Sequence, residues 1–177
     1  NVIKKYEVYF LKHDISLIDI FKTILHDYKK LNSKDIPKGT IHGDLFPDNV
    51  LFNEKNQITG FLDFYFSDFN YLISDIAIVI ISWCFYLDNN NKYILDFDKI
   101  NILLKNYSKV RKIHSNEIDS LKLICKIYCM RFMFTRLIAQ NNDYDKNKIL
   151  RKNPNEYINK LLYFNNINNF RLSINYE

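Results

Sequence analysis

The sequence predicts an α+β fold that is mostly helical and carries one small β-hairpin. Apolar residues recur at helical spacing along much of the 177 residues, whereas two short β-prone runs flank the polar turn EKNQ (54–57). Hydrophobic residues make up 47% of the chain and charged residues 25%, a composition typical of a packed globular protein. The chain is long enough to form one domain, or one lobe of a larger domain, with a substantial core.

The first predicted helix covers residues 17–31, where apolar side chains return every three or four positions and Ser16 with Asp19 resembles a capping box. The stretch SKDIPKG ends this helix. The runs NVLFN (49–53) and ITGFLDF (58–64) then form the hairpin, which is expected to end in Asp63.

Residues 71–87 are apolar on every side and predict a helix that is buried in the protein core and is ended by DNNNK. A membrane span is the alternative, but 17 residues is the lower limit of length and Asp75 would cost about 2.5–3.5 kcal/mol at a bilayer centre. We therefore expect no membrane association.

Three further helices are predicted towards the C-terminus. Asp96 begins one of them, and Ser115 caps a long helix that runs to about Gln140. The last helix has Asn153 as N-cap, Pro154 at its first position and Glu156 completing a capping box. We expect residues 1–164 to form the domain and residues 165–177 to be a loosely ordered tail.

Composition also limits the classes of function. The net charge of +5 arises from lysines that are scattered rather than clustered, so we expect no nucleic-acid partner. Three cysteines without a CxxC pair indicate buried thiols in a reducing compartment, and we expect a cytoplasmic protein. The chain starts without Met and without a signal-peptide pattern, which we interpret as an internal start.

The chemistry is concentrated in IHGDLFPDNVLF (41–52). Asp44 and Asn49 are five positions apart, and Asp63 follows at the end of the hairpin. Carboxylate and carboxamide oxygens are hard ligands that suit Mg²⁺. The spacing H-x-D-x-x-x-x-N followed by Asp-Phe matches a kinase catalytic loop and metal-binding Asp. A surface turn rich in Asp and Asn is the alternative, but the compound pattern favours phosphoryl transfer.

Markers spread along the chain resemble one family. The loop, LDFY (62–65), the Asp-Ile-Ala helix that ends in Trp-Cys, RFMFTRL (131–137) and KNPNEYINKL (152–161) are similar, in this order, to the aminoglycoside phosphotransferase/choline kinase superfamily. Within it they most resemble the homoserine kinase-like family. The resemblance covers residues 36–162 and implies a protein-kinase-like C-terminal lobe, with the N-terminal lobe absent from these 177 residues.

The resemblance implies a role for each residue of the loop. Asp44 is expected to be the catalytic base, Asn49 and Asp63 the Mg²⁺ ligands, and Leu51 part of the floor under the adenine of ATP. His42 is expected to brace the loop.

Asp75 stands in an otherwise apolar helix, where an unsatisfied carboxylate costs several kcal/mol. Backbone N–H groups of the loop are the partners that the kinase pattern implies. A solvent-facing Asp75 at the helix start is the alternative.

Arg131 interrupts an apolar stripe on the long helix formed by Ile124, Ile127, Phe134 and Ile138. A buried guanidinium needs an anion, which is either the carboxylate of a small amino-acid substrate or an internal Asp such as Asp75. Arg136, His26 and His114 are expected to be surface residues, and Cys125 and Cys129 core residues.

These observations favour ATP- and Mg²⁺-dependent phosphorylation of the homoserine side-chain hydroxyl, a step towards threonine. A kinase for choline, an aminoglycoside or a sugar, and a non-catalytic lobe that only binds a partner, remain open. The identity of the phosphate acceptor stays open because the chain departs from the family pattern at one place. Ile81 and Ser82 stand where the family normally has Asn-Asp before Trp-Cys. Without a Gly-rich loop and strand Lys for the phosphates, we expect the chain to be inactive by itself.

Overall fold

The structure, a computed structural model, describes residues 16–31, 35–141, 152–170 and 172. Within these ranges it contains helices and small antiparallel sheets, which agrees with the predicted α+β class. The helices are α1 (Ser16–Leu31), α2 (Ile73–Trp83), α3 (Phe97–Ser108), α4 (Ser115–Asn141) and α5 (Asn155–Asn166). The strands are β1 (Lys38–Ile41), β2 (Val50–Phe52), β3 (Ile58–Phe61), β4 (Asp68–Tyr71), β5 (Phe85–Leu87) and β6 (Tyr93–Leu95).

The core is built around α4, which packs against α1, α2 and α5. Helix α2 buries seven of its eleven residues, so it is apolar on nearly every side, as its sequence predicts. Cys125 and Cys129 lie in this core with no exposed surface, and His26 and His114 are exposed. These four predictions are confirmed.

The predicted hairpin is confirmed as β2 and β3, which pair antiparallel with an irregularity between Leu51 and Phe52. Strand β3 ends at Phe61, so Asp63 lies beyond the hairpin, in the left-handed region at φ 56°. The pairing of β1 with β4 was not predicted from the sequence. It sets Ile41 opposite Asp68 and thereby holds the loop after β1 beside the segment before β4.

The single helix predicted over residues 71–87 is wrong at both ends. It spans only Ile73–Trp83, and residues 85–87 form β5, which pairs with β6. A continuous apolar run fits a buried helix or a buried strand equally well, so periodicity alone did not separate them. The turn is made by Asp88, whose carboxylate accepts hydrogen bonds from the backbone N–H groups of Asn90 and Lys92. None of the helices in the described ranges has the length and apolar content needed to cross a bilayer.

The predicted helix starts are partly correct. The Asp96 carboxylate accepts from Lys99 N–H at 3.0 Å, which confirms this cap. The Asn153 side chain accepts from Asn155 N–H at 2.9 Å, but Pro154 precedes the first helical residue. The capping-box role of Glu156 is wrong, because its carboxylate pairs instead with two cations, described below.

The C-terminal segment is described only in part. Helix α5 continues to Asn166, and the Phe170 ring packs against Phe97 and Phe164 at centroid distances of 6.1 and 5.9 Å. Residues 171 and 173–177 of the predicted tail lie outside the described residues, as do residues 1–15.

Candidate active site

The loop between β1 and β2 is anchored by Asp75 at the start of α2. One carboxylate oxygen of Asp75 accepts from His42 N–H at 2.8 Å, and the other accepts from Gly43 N–H at 2.9 Å. These backbone groups are the partners expected for an inward-facing Asp75. The carboxylate therefore faces the loop, although the residue lies in the first helical turn.

His42 joins the loop to the segment that follows the hairpin. Its ring accepts from Asp44 N–H at Nδ1 (3.3 Å), so the neutral ring carries its proton on Nε2, which donates to the Leu62 carbonyl oxygen (2.9 Å). Because Leu62 precedes Asp63, this contact ties the positions of Asp44 and Asp63 together.

Gly43 is required by the backbone. Its φ is +78°, and a Cβ at this position would collide with the Phe66 carbonyl oxygen. The close approach of residues 43 and 66 brings the loop against the segment that carries Asp63.

The carbonyl oxygen of Leu45 is held by α2. It accepts from the Trp83 indole N–H at 2.9 Å. The Ser82 hydroxyl donates its single proton to the Ile78 carbonyl oxygen at 2.6 Å, and Ile81 is fully buried in the core. The departure from the family pattern at positions 81 and 82 therefore lies outside the lining of the cleft described below.

Asn49 orients Asp44. Its amide NH₂ group donates to the Asp44 backbone carbonyl oxygen at 2.8 Å and to the Asp44 carboxylate at 3.1 Å. Because the amide nitrogen makes these two contacts, the side-chain oxygen is the atom of Asn49 that could bind a cation. Asp63 accepts from Tyr65 N–H at 3.3 Å and is otherwise exposed. One carboxamide oxygen and one carboxylate are the hard donors that Mg²⁺ prefers, so these residues fit this ion.

No group of three or more His, Cys, Asp or Glu side chains that could hold a metal occurs in the described part of the chain. A site built on Asn49 and Asp63 supplies only two protein ligands. Mg²⁺ in phosphoryl-transfer sites is commonly held by one or two side chains together with water and substrate phosphates, so the small number of ligands agrees with this chemistry.

The Asp44 carboxyl group is tuned by its surroundings. Burial raises its pKa above the ordinary value, and the charges of Asp63 and Asp48 act in the same direction, while the Asn49 hydrogen bond and the Arg131 charge oppose them. A carboxylate with a raised pKa is a stronger base, which suits a group that accepts a proton from an alcohol.

Asp44 lies in a cleft of about 260 Å³ between the loop and helices α4 and α5. Three carboxylates, those of Asp44, Asp48 and Asp63, line this cleft together with three cations. The lining residues are Asp44, Phe46, Asp48, Asn49, Asp63, Phe66, Arg131, Phe132, Thr135, Arg136, Lys152 and Tyr157. The sequence assigned no site role to Thr135, Arg136, Lys152 or Tyr157.

Arg131 reaches the loop without an ion-pair partner. It donates to the Gly43 carbonyl oxygen at 3.1 Å, and its guanidinium lies 5.2 Å from the ring centres of both Phe66 and Phe132. Among the described residues no carboxylate lies within ion-pair distance of Arg131, so its pairing with Asp75 is wrong. The guanidinium keeps its capacity to bind an anion in the cleft.

Arg136 is not the surface residue expected from the sequence. Its side chain is 13% exposed and donates to the Glu156 carboxylate and to the Asn153 carbonyl oxygen, both at 2.7 Å. Glu156 also binds the buried Lys160 at 2.5 Å, and these two cations lower the pKa of Glu156 against the effect of burial. One sequence signal could have shown that Glu156 forms ion pairs. Glu156 and Lys160 are four positions apart, which places both side chains on the same face of α5.

Leu51 lies on β2 and is 46% exposed. It stands apart from its neighbours Val50 and Phe52, which line a separate apolar groove between the hairpin and helices α2 and α3. The exposed position leaves room for a flat ligand, and the adenine-binding role of Leu51 stays a prediction.

Comparisons with known proteins agree with this geometry. Residues 12–99, about half of the chain, match the model of the phosphotransferase enzyme family. The chain is 37% identical over 134 residues to a homoserine kinase of Bartonella tribocorum, a match that covers 76% of this chain and 40% of the relative. Homoserine kinases of Brucella anthropi and Rhizobium meliloti are 36% and 37% identical over 75% and 73% of this chain. The chain thus spans about two fifths of the length of these relatives.

Proposed function

Because the chain belongs to the phosphotransferase enzyme family, we propose that it carries the catalytic half of an ATP- and Mg²⁺-dependent kinase that phosphorylates the side-chain hydroxyl of homoserine. One observation carries this proposal. A single cleft contains the Asp44 carboxylate with its raised pKa, the side-chain oxygens of Asn49 and Asp63, and the Arg131 guanidinium, which forms no ion pair with a described residue.

Asp44 acts as the base in this proposal. Asn49 fixes the Asp44 carboxylate, so that an oxygen faces the acceptor hydroxyl and accepts its proton. The acceptor oxygen then bonds to the γ-phosphorus of ATP as the bond between that phosphorus and the leaving ADP oxygen breaks. Asn49 and Asp63 would hold Mg²⁺, which supplies charge neutralisation for the phosphates when it is bound. His42 and Asp75 keep the loop in the geometry that these roles require.

The choice of acceptor follows from the charges and the size of the cleft. A volume of about 260 Å³ lies just below the usual range for ligand pockets, about 300–1,000 Å³, and therefore favours a small acceptor over an aminoglycoside. Arg131 forms no ion pair within the described part of the chain, which favours an acceptor with a carboxylate and disfavours choline, which carries only a positive charge. A small hydroxy amino acid satisfies both conditions, and the names of the relatives support homoserine.

We further propose that a second lobe completes the nucleotide site, and that the enzyme acts in the cytoplasm. All three glycines lie at positions 39, 43 and 60, so these 177 residues contain no Gly-rich phosphate loop. The hairpin and the segment after it expose apolar side chains, namely Phe52, Ile58, Phe61, Leu62, Phe64, Phe66 and Phe69. An exposed apolar patch of this kind favours contact with another polypeptide segment. The relatives are long enough to supply such a segment, because the match covers only 40% of the homoserine kinase of Bartonella tribocorum.

The test is a measurement of ATP consumption against a panel of amino alcohols, choline and aminoglycosides. The 177-residue chain is assayed alone and after an N-terminal lobe is supplied covalently or as a separate polypeptide. We expect weak ATP binding and no turnover by the chain alone, and homoserine-dependent turnover when the lobe is supplied. Rapid turnover by the isolated chain contradicts the two-lobe proposal, and a preference for choline contradicts the acceptor.

A further inference from the structure

Among the described residues of the cleft, Tyr157 is the one with a buried side-chain polar atom that has no hydrogen-bond partner. The side chain is 1% exposed, and its hydroxyl is buried without a hydrogen bond. Buried polar groups in folded proteins are normally hydrogen-bonded, and Tyr157 lines the cleft, so its unused donor is available to a group that enters the cleft.

The Tyr157 ring is held firmly in place. The guanidinium of Arg136 lies 4.4 Å from its centre, the Phe132 ring lies 5.6 Å away, and the Lys160 ammonium lies 5.1 Å away on α5. Arg136 and Lys160 share the single carboxylate of Glu156, so these contacts fix both cations beside the ring and leave one net positive charge in the cluster. The hydroxyl is thus a donor whose position is set in advance.

The electrostatic surroundings keep this hydroxyl protonated. Burial raises the pKa of Tyr157 far above its ordinary value, and the charges of Glu156 and Asp44 act in the same direction. A neutral phenol that stays protonated donates a hydrogen bond to a carboxylate and does not compete with Asp44 for the proton of the acceptor.

We propose that Tyr157 is a specificity residue, and that its hydroxyl donates a hydrogen bond to the carboxylate of the acceptor while Arg131 binds the same carboxylate electrostatically. The inference rests on the proposed function, because it assigns the part of the acceptor that the cleft recognises. Arg131 lines the cleft from α4 and Tyr157 from α5, whereas Asp44 lines it from the loop, so the acceptor lies with its carboxylate towards α4 and α5 and its hydroxyl towards Asp44.

The experiment compares Tyr157→Phe with the unsubstituted protein, supplied with the N-terminal lobe, on three alcohols. Homoserine carries both the amine and the carboxylate, γ-hydroxybutyrate lacks the amine, and aminopropanol lacks the carboxylate. We expect Tyr157→Phe to raise KM for homoserine and γ-hydroxybutyrate roughly 10- to 100-fold, as for a lost hydrogen bond to a charged group. KM for aminopropanol, KM for ATP and kcat should be unchanged, because the lost interaction contributes equally to ground and transition states.

A matched control is Tyr93→Phe. Tyr93 contacts the same Lys160 ammonium, at 5.1 Å, but is not part of the cleft lining. We expect no change in any KM. Thermal unfolding tests whether Tyr157 has only a structural role. Tyr157→Phe should melt at the same temperature as the unsubstituted protein or higher, because it removes a buried hydroxyl that has no partner among the described residues.

The outcomes separate this inference from the function on which it rests. Homoserine turnover with an unchanged KM in Tyr157→Phe, or an equal rise for aminopropanol, overturns the inference and keeps the function. If homoserine is not phosphorylated, calorimetric titration of homoserine and γ-hydroxybutyrate into the chain decides the inference. Binding that weakens in Tyr157→Phe supports it without the function, and binding that is absent or unchanged overturns it.

Discussion

The loop over residues 42–49 and the segment over residues 58–69 both contribute to the cleft, but they are held in opposite ways. The loop is fixed by polar contacts to the protein interior, through Asp75, the Leu45 carbonyl and Arg131. The second segment is mostly exposed and apolar, with Tyr65 86% and Phe69 69% exposed. Asp44 belongs to the first region and Asp63 to the second.

The difference indicates how the work is divided under the proposed function. The base and its orienting groups are complete within this chain, so their geometry does not depend on another polypeptide. The carboxylate proposed as metal ligand lies on a surface whose apolar side chains face solvent, so its environment changes when a second lobe covers it. Substitutions in the two regions should therefore differ in their effects on activity and on stability.

The largest expected effect comes from Asp63→Asn, which should abolish turnover in the chain supplied with its lobe, because weaker metal binding removes several kcal/mol of transition-state stabilisation. The fold should persist, since Asn tolerates the left-handed backbone of residue 63 and still accepts from Tyr65 N–H. Steady-state kinetics and circular dichroism test this. Asp68→Asn, an exposed change five positions on, is the control, and normal kinetics in Asp63→Asn would remove the proposed metal site.

The second expected effect separates catalysis from stability at Asp44. Asp44→Asn should lower kcat by about 10²- to 10⁴-fold through loss of the base. Because burial raises the pKa of Asp44 in the folded state, the folded protein binds this proton more tightly than the unfolded chain, and the carboxylate is destabilising once the pH exceeds that pKa. At neutral pH, Asp44→Asn should therefore unfold at the same urea concentration or higher.

The control variant, Asp48→Asn, should change the stability at neutral pH in the opposite direction. Lys152 lowers the pKa of Asp48, so the Asp48 carboxylate contributes stability above its unfolded pKa that is lost as the pH falls. Both side chains of this pair are exposed, so Asp48→Asn should cost at most about 1 kcal/mol at neutral pH. A large loss of stability in Asp44→Asn would contradict the assignment of burial as the main cause of its pKa.

A smaller effect, shared between activity and stability, is expected at Asp75. Asp75→Ala leaves two backbone N–H groups of the loop unpaired, at roughly 1–3 kcal/mol each, and lets the loop move. The free energy of unfolding, measured with urea, and the turnover rate should therefore both fall. Asp98→Ala removes an exposed acidic residue from the first turn of α3 and should cost only about 0.3–1 kcal/mol. Equal losses in the two variants would show that the anchor is unimportant.

The smallest effect is expected in the exposed segment. Ile58→Val should change the free energy of unfolding of the isolated chain by less than about 0.5 kcal/mol, because the side chain is 56% exposed. The same change at Ile78, which is fully buried in α2, should cost about 0.5–1.5 kcal/mol. Similar losses at both positions would mean that the segment is packed more tightly than its exposure indicates.

The elements that the sequence predicted correctly are those with local signals. Helix α1 follows from apolar periodicity, and the hairpin follows from a polar turn between two β-prone runs. The strands β1 and β4 have four residues each, and their paired residues are 27 to 33 positions apart, so no local pattern marks them. The end of α2 was missed because Phe85 and its neighbours continue the apolar run without a break.

The candidate site, like the fold, contains some residues that local sequence signals identify and others that they do not. The proximity of Asp44, Asn49 and Asp63 could be predicted because they lie close together in the chain and follow a known spacing, and their roles stay predictions. Arg136 could not be placed, since its partner Glu156 is 20 positions away and carried a plausible local capping pattern of its own. Tyr157 carries no signal in the sequence, because a Tyr on an apolar helix face is normally a core residue. Its significance comes from the missing hydrogen bond, which only coordinates reveal.

The anchors of the loop also have a consequence for the order of events during synthesis. The His42 N–H group donates to Asp75, which lies 33 positions later in the chain. The Gly43 carbonyl oxygen accepts from Arg131, which lies 88 positions later. A ribosome therefore completes the whole loop well before α4 emerges to hold it. Contacts over such separations close large loops and form late in folding. The cleft should consequently be among the last parts of this chain to mature, after the local helices have formed.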